Sequence, residues 1–220
     1  MKKLLLFLTA ASLGVTSVQA EKFDFTAFAS TTQAAWHGTG TYGHKVTVDG
    51  VQADMVEHYY NDGVPAGEKP LYQDFALADG NYTFTVFATA FNAWKGSPYV
   101  EETTTDVVSL YATSGDKTTE TDVPAMKQKS YDTDPATYSV SALVAGKAVQ
   151  VGLVTKAADK AEWFTIQIKT VEFEGTAAEA LAAAKATVEA ALATEALSKV
   201  PGAERTARER ALIDISEPTE

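Results

Sequence analysis

The residues best equipped for chemistry stand between the regular elements. The stretch FNAWKGSPY, Phe91 to Tyr99, places Trp94 among Asn92, Lys95, Gly96 and Pro98. A tryptophan in such a polar segment is either a platform for a ligand or a plug folded back on the body of the fold. Tyr99 travels with it. Tyr42 and His44 belong to a Gly-rich stretch, GTGTYGH from Gly38, and Tyr59, Tyr60 and Asn61 close an alternating run. Alternation sends Tyr59 and Tyr60 to opposite faces of a strand, so at most one of them is core.

Catalytic chemistry is thinly supplied. There is no cysteine, no serine stands in a nucleophile elbow, and no His-Glu pattern marks a metallohydrolase. His37, His44 and His58 lack the close spacing of a zinc site. Asp132-Thr133-Asp134 puts two carboxylates in one loop, a partial donor set for calcium, which takes about six to eight oxygens. A glycosidase needs two carboxylates across a cleft. Most of the 29 acids fall in turns or on the outward side of strands, so a non-catalytic chain is expected.

Composition bounds the setting. Residues 1–20, MKKLLLFLTAASLGVTSVQA, combine Lys2 and Lys3, an apolar run from Leu4 to Val18 and a small-residue ending at Val18-Gln19-Ala20. This is the pattern of a secretory signal peptide cleaved after Ala20, and the run is shorter than the ~20 residues of a membrane span. The expectation is export to the periplasm, the cell surface or the medium. Cleavage removes two lysines and no acids, taking the formal net charge from −11 to −13. Such an excess of carboxylates disfavours nucleic acid and anionic lipid as partners. Without disulfides, stability must come from a packed core.

The elements that must position these residues read as strands. Period-two runs occur at residues 23–29, 45–49, 53–60, 71–77, 82–91, 106–112, 137–144, 147–155 and 163–173. Rich in Val, Thr, Tyr and Phe and separated by Gly or Pro clusters, they predict an all-β chain of two packed antiparallel sheets. Two hairpins are expected, one from Leu71 to Phe91 around Asp79-Gly80 and one from Tyr138 to Thr155 around Ala145-Gly146. In the last run Phe164, Ile166 and Ile168 share a face while Val171 and Phe173 fall on the other. A bulge near Lys169 or Thr170 would return all five to one side. Trp36 and Trp163, each beside a strand end, read as core residues sealing the sandwich.

From Thr176 the period changes to that of a helix. Thr176-Ala-Ala-Glu179 is a capping-box pattern, and an alanine-rich segment follows to about Leu197 with Leu181, Ala184, Val188, Ala191 and Leu192 on one stripe. Pro201-Gly202 breaks it, and residues 203–213 suit a second, shorter helix. The stripe needs a dock. So do Phe87 and Phe91, which alternation turns away from the core face of Tyr82, Phe84 and Val86. The loop after Phe91 together with the helix is the expected cover, ahead of a ligand.

The order of Trp36, GTGTYG, EHYYND at residues 57–62, LYQDFALADGNYTFTVFA from Leu71 and EWFTIQIKTVEFEG from Glu162 resembles the galactose-binding-domain-like jelly rolls, common in secreted proteins of Bacteroidetes and often carbohydrate-binding modules. The resemblance covers residues 21–175. The segment AEALAAAKATVEAALATEAL with ERTARERAL is similar to the helical repeat called FIVAR of extracellular adhesins, although its second helix stops early and no third follows. The resulting division is a leader at 1–20, a sandwich at 21–175 and a helical extension, a partial repeat or linker, at 176–220. The resemblance implies non-catalytic binding of a glycan or cell-surface polysaccharide through ring stacking by Trp94, Tyr99, Tyr60 and Tyr42, with Asn92 reading hydroxyls. It also implies a structural calcium as a possible companion, at Asp132 and Asp134. The other open reading is a structural or adhesin-type module that contacts extracellular proteins.

Overall fold

The computed structural model describes residues 20–38, 41–48, 51–91, 108–124, 136–156 and 161–193. Among the described residues, ten strands and one α-helix, with two 3-10 turns at Thr26–Phe28 and Gln33–Ala35, follow the order β1 (Glu21–Asp24), β2 (Thr41–Val48), β3 (Val51–Val64), β4 (Leu71–Phe75), β5 (Gly80–Phe91), β6 (Val108–Ser114), β7 (Lys117–Val123), β8 (Ala136–Val144), β9 (Val149–Thr155), β10 (Ala161–Gly175) and α1 (Ala177–Ala193). One sheet runs β2-β3-β10-β5-β8, with β1 also paired to β10, and the other runs β4-β9-β6-β7. Every strand pair is antiparallel. The chain is a two-sheet β-sandwich of jelly-roll type with a C-terminal helix, as the alternation predicts.

The core follows from the period of two. Tyr82, Phe84, Val86 and Ala88 of β5 are buried, as are Phe164, Ile166 and Ile168 of β10, and they meet Leu71, Phe75, Val149, Val151, Leu153, Val108 and Leu110 of the opposite sheet. Trp36 belongs to this cluster. The bulge stands where the pattern demanded it: Ile168 pairs with Val86 and Thr170 with Thr85, so Lys169 is the extra residue. Val171 and Phe173 are thereby returned to the core.

Both expected hairpins are corrected. The β4 and β5 strands lie in different sheets, as do β8 and β9, so Asp79-Gly80 and Ala145-Gly146 are corners at which the chain crosses between layers. A glycine turn reverses the chain but does not choose between pairing within a sheet and stacking across it. Here each flanking strand finds its partner far along the chain, β5 on β10 and β4 on β9. The two corners are tied together, since Lys147 N–H, at a φ of 59°, donates to Asp79 Oδ1 at 2.8 Å. The β7 strand, KTTETDV, was not foreseen. Its residues are almost all exposed, so it carries no alternation to read. It seals an edge instead, with Thr119 and Thr121 hydroxyls donating to the β8 carbonyls of Ser141 and Ser139.

The α1 helix closes the corner end of the sandwich. Ala180, Ala183, Ala184, Thr187 and Val188 are buried, and Thr187 Oγ1 accepts the Ala78 N–H at 2.9 Å. The docked face is rotated from the expected stripe, because Leu181 is only half-buried and Thr187 takes a central place. The helix is therefore seated at the end remote from Phe91. The described cover of Phe87 is the bulge residue: the Lys169 ammonium lies 5.0 Å from the ring centroid. The Phe91 side chain and residues 92–107 lie outside the described residues, as do 203–213.

The capping box forms as expected. Glu179 Oε2 accepts the Thr176 N–H and hydroxyl, each at 2.8 Å, and Glu179 N–H donates to Thr176 Oγ1. Thr176→Ala should lower stability by about 1 kcal/mol, read from denaturant melts. The backbone and side-chain bonds from Thr176 hold the Glu179 carboxyl below its ordinary value of 4.5. Its contribution is then complete above pH 4.5 and is lost as pH falls through the depressed value. Glu179→Gln should flatten that part of the stability–pH curve, whereas an unchanged acid limb would count against the cap.

Candidate functional site

Strand direction brings the interesting segments together. Paired antiparallel, β5 ends and β10 begins at the same end, with Trp163 opposite Phe91. The β3 strand brings Tyr59 opposite Trp163 on its other side. In the second sheet, Val108 opens β6 opposite Val123, the end of β7, and Thr155, the end of β9. Ala136 opens β8 opposite Ala88 of β5. The connections 92–107 and 124–135 therefore leave from and return to one end of the sandwich, the end opposite α1. The corners at 76–79, 115–116 and 145–148 occupy the helix end.

The register assembles a row of aromatic positions there, Tyr59, Trp163 and Phe91 on three adjacent strands. The next row but one holds Tyr42, Glu57, Thr165 and Thr89. Successive strand positions alternate between faces, so Thr165 and Thr89 lie on the outer side of the larger sheet, away from the core residues Phe164 and Ala90. Thr89 and Thr165 are fully buried and share a hydroxyl–hydroxyl bond of 2.5 Å. Beside them Gln167 Nε2 donates to the carbonyls of Thr31 and Asp54 at 2.9 and 2.8 Å, which lays the segment after β1 against the sheet. The floor of this face is thus built from small, mutually bonded polar groups, with aromatic positions around it.

Of the residues singled out in the sequence, Tyr42 lies in β2 and Tyr60 in β3, and their side chains fall outside the described residues. Asn92, Trp94 and Tyr99 fall outside them too, as do Asp132 and Asp134. Asn92 directly follows Phe91 in the chain and Trp94 is two further on. Tyr59 rather than Tyr60 is the position that shares the row with Trp163 and Phe91. The side chain of Trp163, read from the sequence as core, falls outside the described residues, and only the pairing of distant strands shows that its position is flanked by Tyr59 and Phe91. Among the three histidines, His58 is buried on the core side with its ring 5.7 Å from that of Phe164, while His37 is exposed. Among the described residues, no group of three or more His, Cys, Asp or Glu side chains could hold a metal, and no helix is long and apolar enough to cross a membrane.

Fold and sheet order define the class: an antiparallel jelly-roll β-sandwich. No protein-family model and no curated protein matches the chain. Among solved structures it is similar to the Clostridium thermocellum xylanase 10B carbohydrate-binding and catalytic modules complexed with xylohexaose, at 16% identity and a TM-score of 0.42, over 72% of this chain and 28% of that one. It is also similar to a family 61 carbohydrate-binding module in complex with β-1,4-galactotriose, at 11% identity and TM-score 0.37, over 64% of this chain and 90% of the other. A third is the module from Cellvibrio mixtus lichenase 5A in complex with cellotriose, at 14% identity and TM-score 0.32, over 68% and 98%. The chain thus spans little more than a quarter of the first of these proteins.

Proposed function

We propose that the chain is a non-catalytic glycan-binding module of an exported protein, with residues 1–20 as its leader, 21–175 as the binding domain and 176–220 as a helical extension. The ligand is taken at the end of the sandwich opposite the helix. Trp94 and Tyr99 supply rings for pyranose faces, Tyr42 and Tyr60 flank them, and Asn92 reads hydroxyls. One observation carries this reading. Strand direction anchors the connections at 92–107 and 124–135 beside an aromatic row, Tyr59–Trp163–Phe91, on adjacent strands. Paired strands hold both ends of the connection that carries Trp94 and Tyr99, and stacking of rings on a sugar needs no catalytic pair of acids.

The test is isothermal titration of the chain without its leader against xylo-, gluco- and galacto-oligosaccharides. Binding is expected for at least one series, and Tyr42→Ala and Asn92→Ala should each weaken it several-fold, as for moderate contacts around a stacking centre. If neither variant alters the affinity of a sugar that does bind, the ligand sits elsewhere on the molecule.

A further inference from the structure

At the helix end of the sandwich a groove of about 600 Å³ lies between α1 and the corners at Asp79-Gly80 and Lys147. Phe173, Ala182, Ala183 and Ala186 give it an apolar lining. Its charged groups are three carboxylates, Asp79, Glu174 and Glu179, against the single ammonium of Lys147. Ala20 also borders it, so removal of the leader opens its mouth further. On the sheet side the bordering residue Asn81 pairs with Leu143 of β8. Leu143 is 49% exposed, alone among the large apolar side chains of the described residues. Cross-strand partners share a face, so this leucine extends the apolar surface of the groove onto β8.

The chain carries a segment of matching chemistry. All three of its arginines, Arg205, Arg208 and Arg210, stand within residues 203–213, which lie outside the described residues and suit a helix from their sequence. In a helix Ala203, Ala207 and Ala211 recur every four residues on one side, with Arg208 and Arg210 on the two flanks of that side. Alanines allow close approach to Ala182 and Ala186, and guanidinium groups pair with carboxylates in a bidentate fork. Three arginines against Glu204 and Glu209 give the segment a net charge of +1, in a chain of −11. Reach is sufficient. The 17 residues of α1 make a helix about 25 Å long, and the connection 194–202 spans up to ~30 Å.

We propose that residues 203–213 form a second helix seated in this groove. Ala207 and Ala211 pack on Ala182 and Ala186 of α1, the arginines pair with Asp79, Glu174 and Glu179, and Leu212, Ile213 and Ile215 cover Leu143. The extension at 176–220 is then part of the sandwich, clamping α1 on its corner end, rather than an arm offered to a partner. The assignment does not depend on the glycan reading.

The chain has no cysteine, so engineered pairs report proximity without interference. In the chain lacking its leader, Ala182→Cys or Ala186→Cys, at exposed and half-buried positions of α1, is combined with Ala207→Cys or Ala211→Cys and mildly oxidised. At least one of the four pairs should close a disulfide within the chain, read by mass and by migration of the unreduced protein, since a bridge needs Cα atoms within about 7 Å. Glu120→Cys on the exposed strand β7, paired with Ala207→Cys, should stay unlinked. Arg208→Glu together with Arg210→Glu should cut the linked fraction several-fold. Linkage in none of the four pairs, equal linkage to Glu120→Cys, or a linked fraction indifferent to the charge reversal overturns the docking. Linkage only between chains also overturns it and assigns the groove to a second copy.

Discussion

Phe84→Ala lowers the free energy of unfolding by about 3–5 kcal/mol, the range for deleting a buried phenylalanine ring. Phe84 is fully buried at the centre of β5, and its ring lies 5.4 Å from Phe75 across the sandwich and 6.3 Å from Tyr82 along its own strand. It is therefore a contact between the two layers as well as within one. The cavity left by alanine is lined by strand residues whose backbones are tied into both sheets, so the site collapses poorly and the cost falls high in the range. Thermal melting should drop by on the order of 10 °C or more for a chain of this size. A loss below about 1 kcal/mol, measured by urea unfolding, would mean that the layers are not packed through β5.

Gly152→Val detaches the edge strand β4. A Cβ at Gly152 would stand 2.3 Å from the Leu71 carbonyl oxygen and 2.7 Å from Tyr72 Cα. These obstacles are backbone, and backbone in a strand cannot swing aside as a side-chain tip can. Alanine at this position costs at least the 1–3 kcal/mol typical of overpacking, and the branched valine more. The loss is local in origin, so hydrogen exchange should accelerate first at the amides of β4, then at β9, while β5 and β10 keep their protection. Equal acceleration everywhere would contradict the assigned β4–β9 pairing.

The sandwich was legible because its core strands alternate. Tyr82, Phe84 and Val86 declared one face, and the change of face between Ile168 and Val171 declared a bulge, which the chain resolves with Lys169. The capping box was legible for the same reason, since its bonds span three residues. What the sequence could not carry was partnership between distant segments. Asp79-Gly80 and Ala145-Gly146 specify chain reversal, and the same turn chemistry serves a hairpin or a corner. Only the competition among all strands places β4 beside β9 and β5 beside β10. The β7 strand escaped notice because an edge strand with exposed residues needs no apolar face.

The candidate site shows the same division. Trp94 stood out as a lone indole in a polar stretch. The row of Tyr59, Trp163 and Phe91 could not be read in the same way, because it depends on the registers of three strands that are far apart in the chain.

The most direct test of the central claim is a glycan array probed with the chain lacking its leader, beside the Trp94→Ala variant shown to be folded by circular dichroism. The wild-type chain should retain at least one glycan, and Trp94→Ala should weaken that signal by about tenfold or more, equivalent to roughly 1.4 kcal/mol. Binding of no glycan by the wild-type chain, or equal binding by the two proteins, would contradict it.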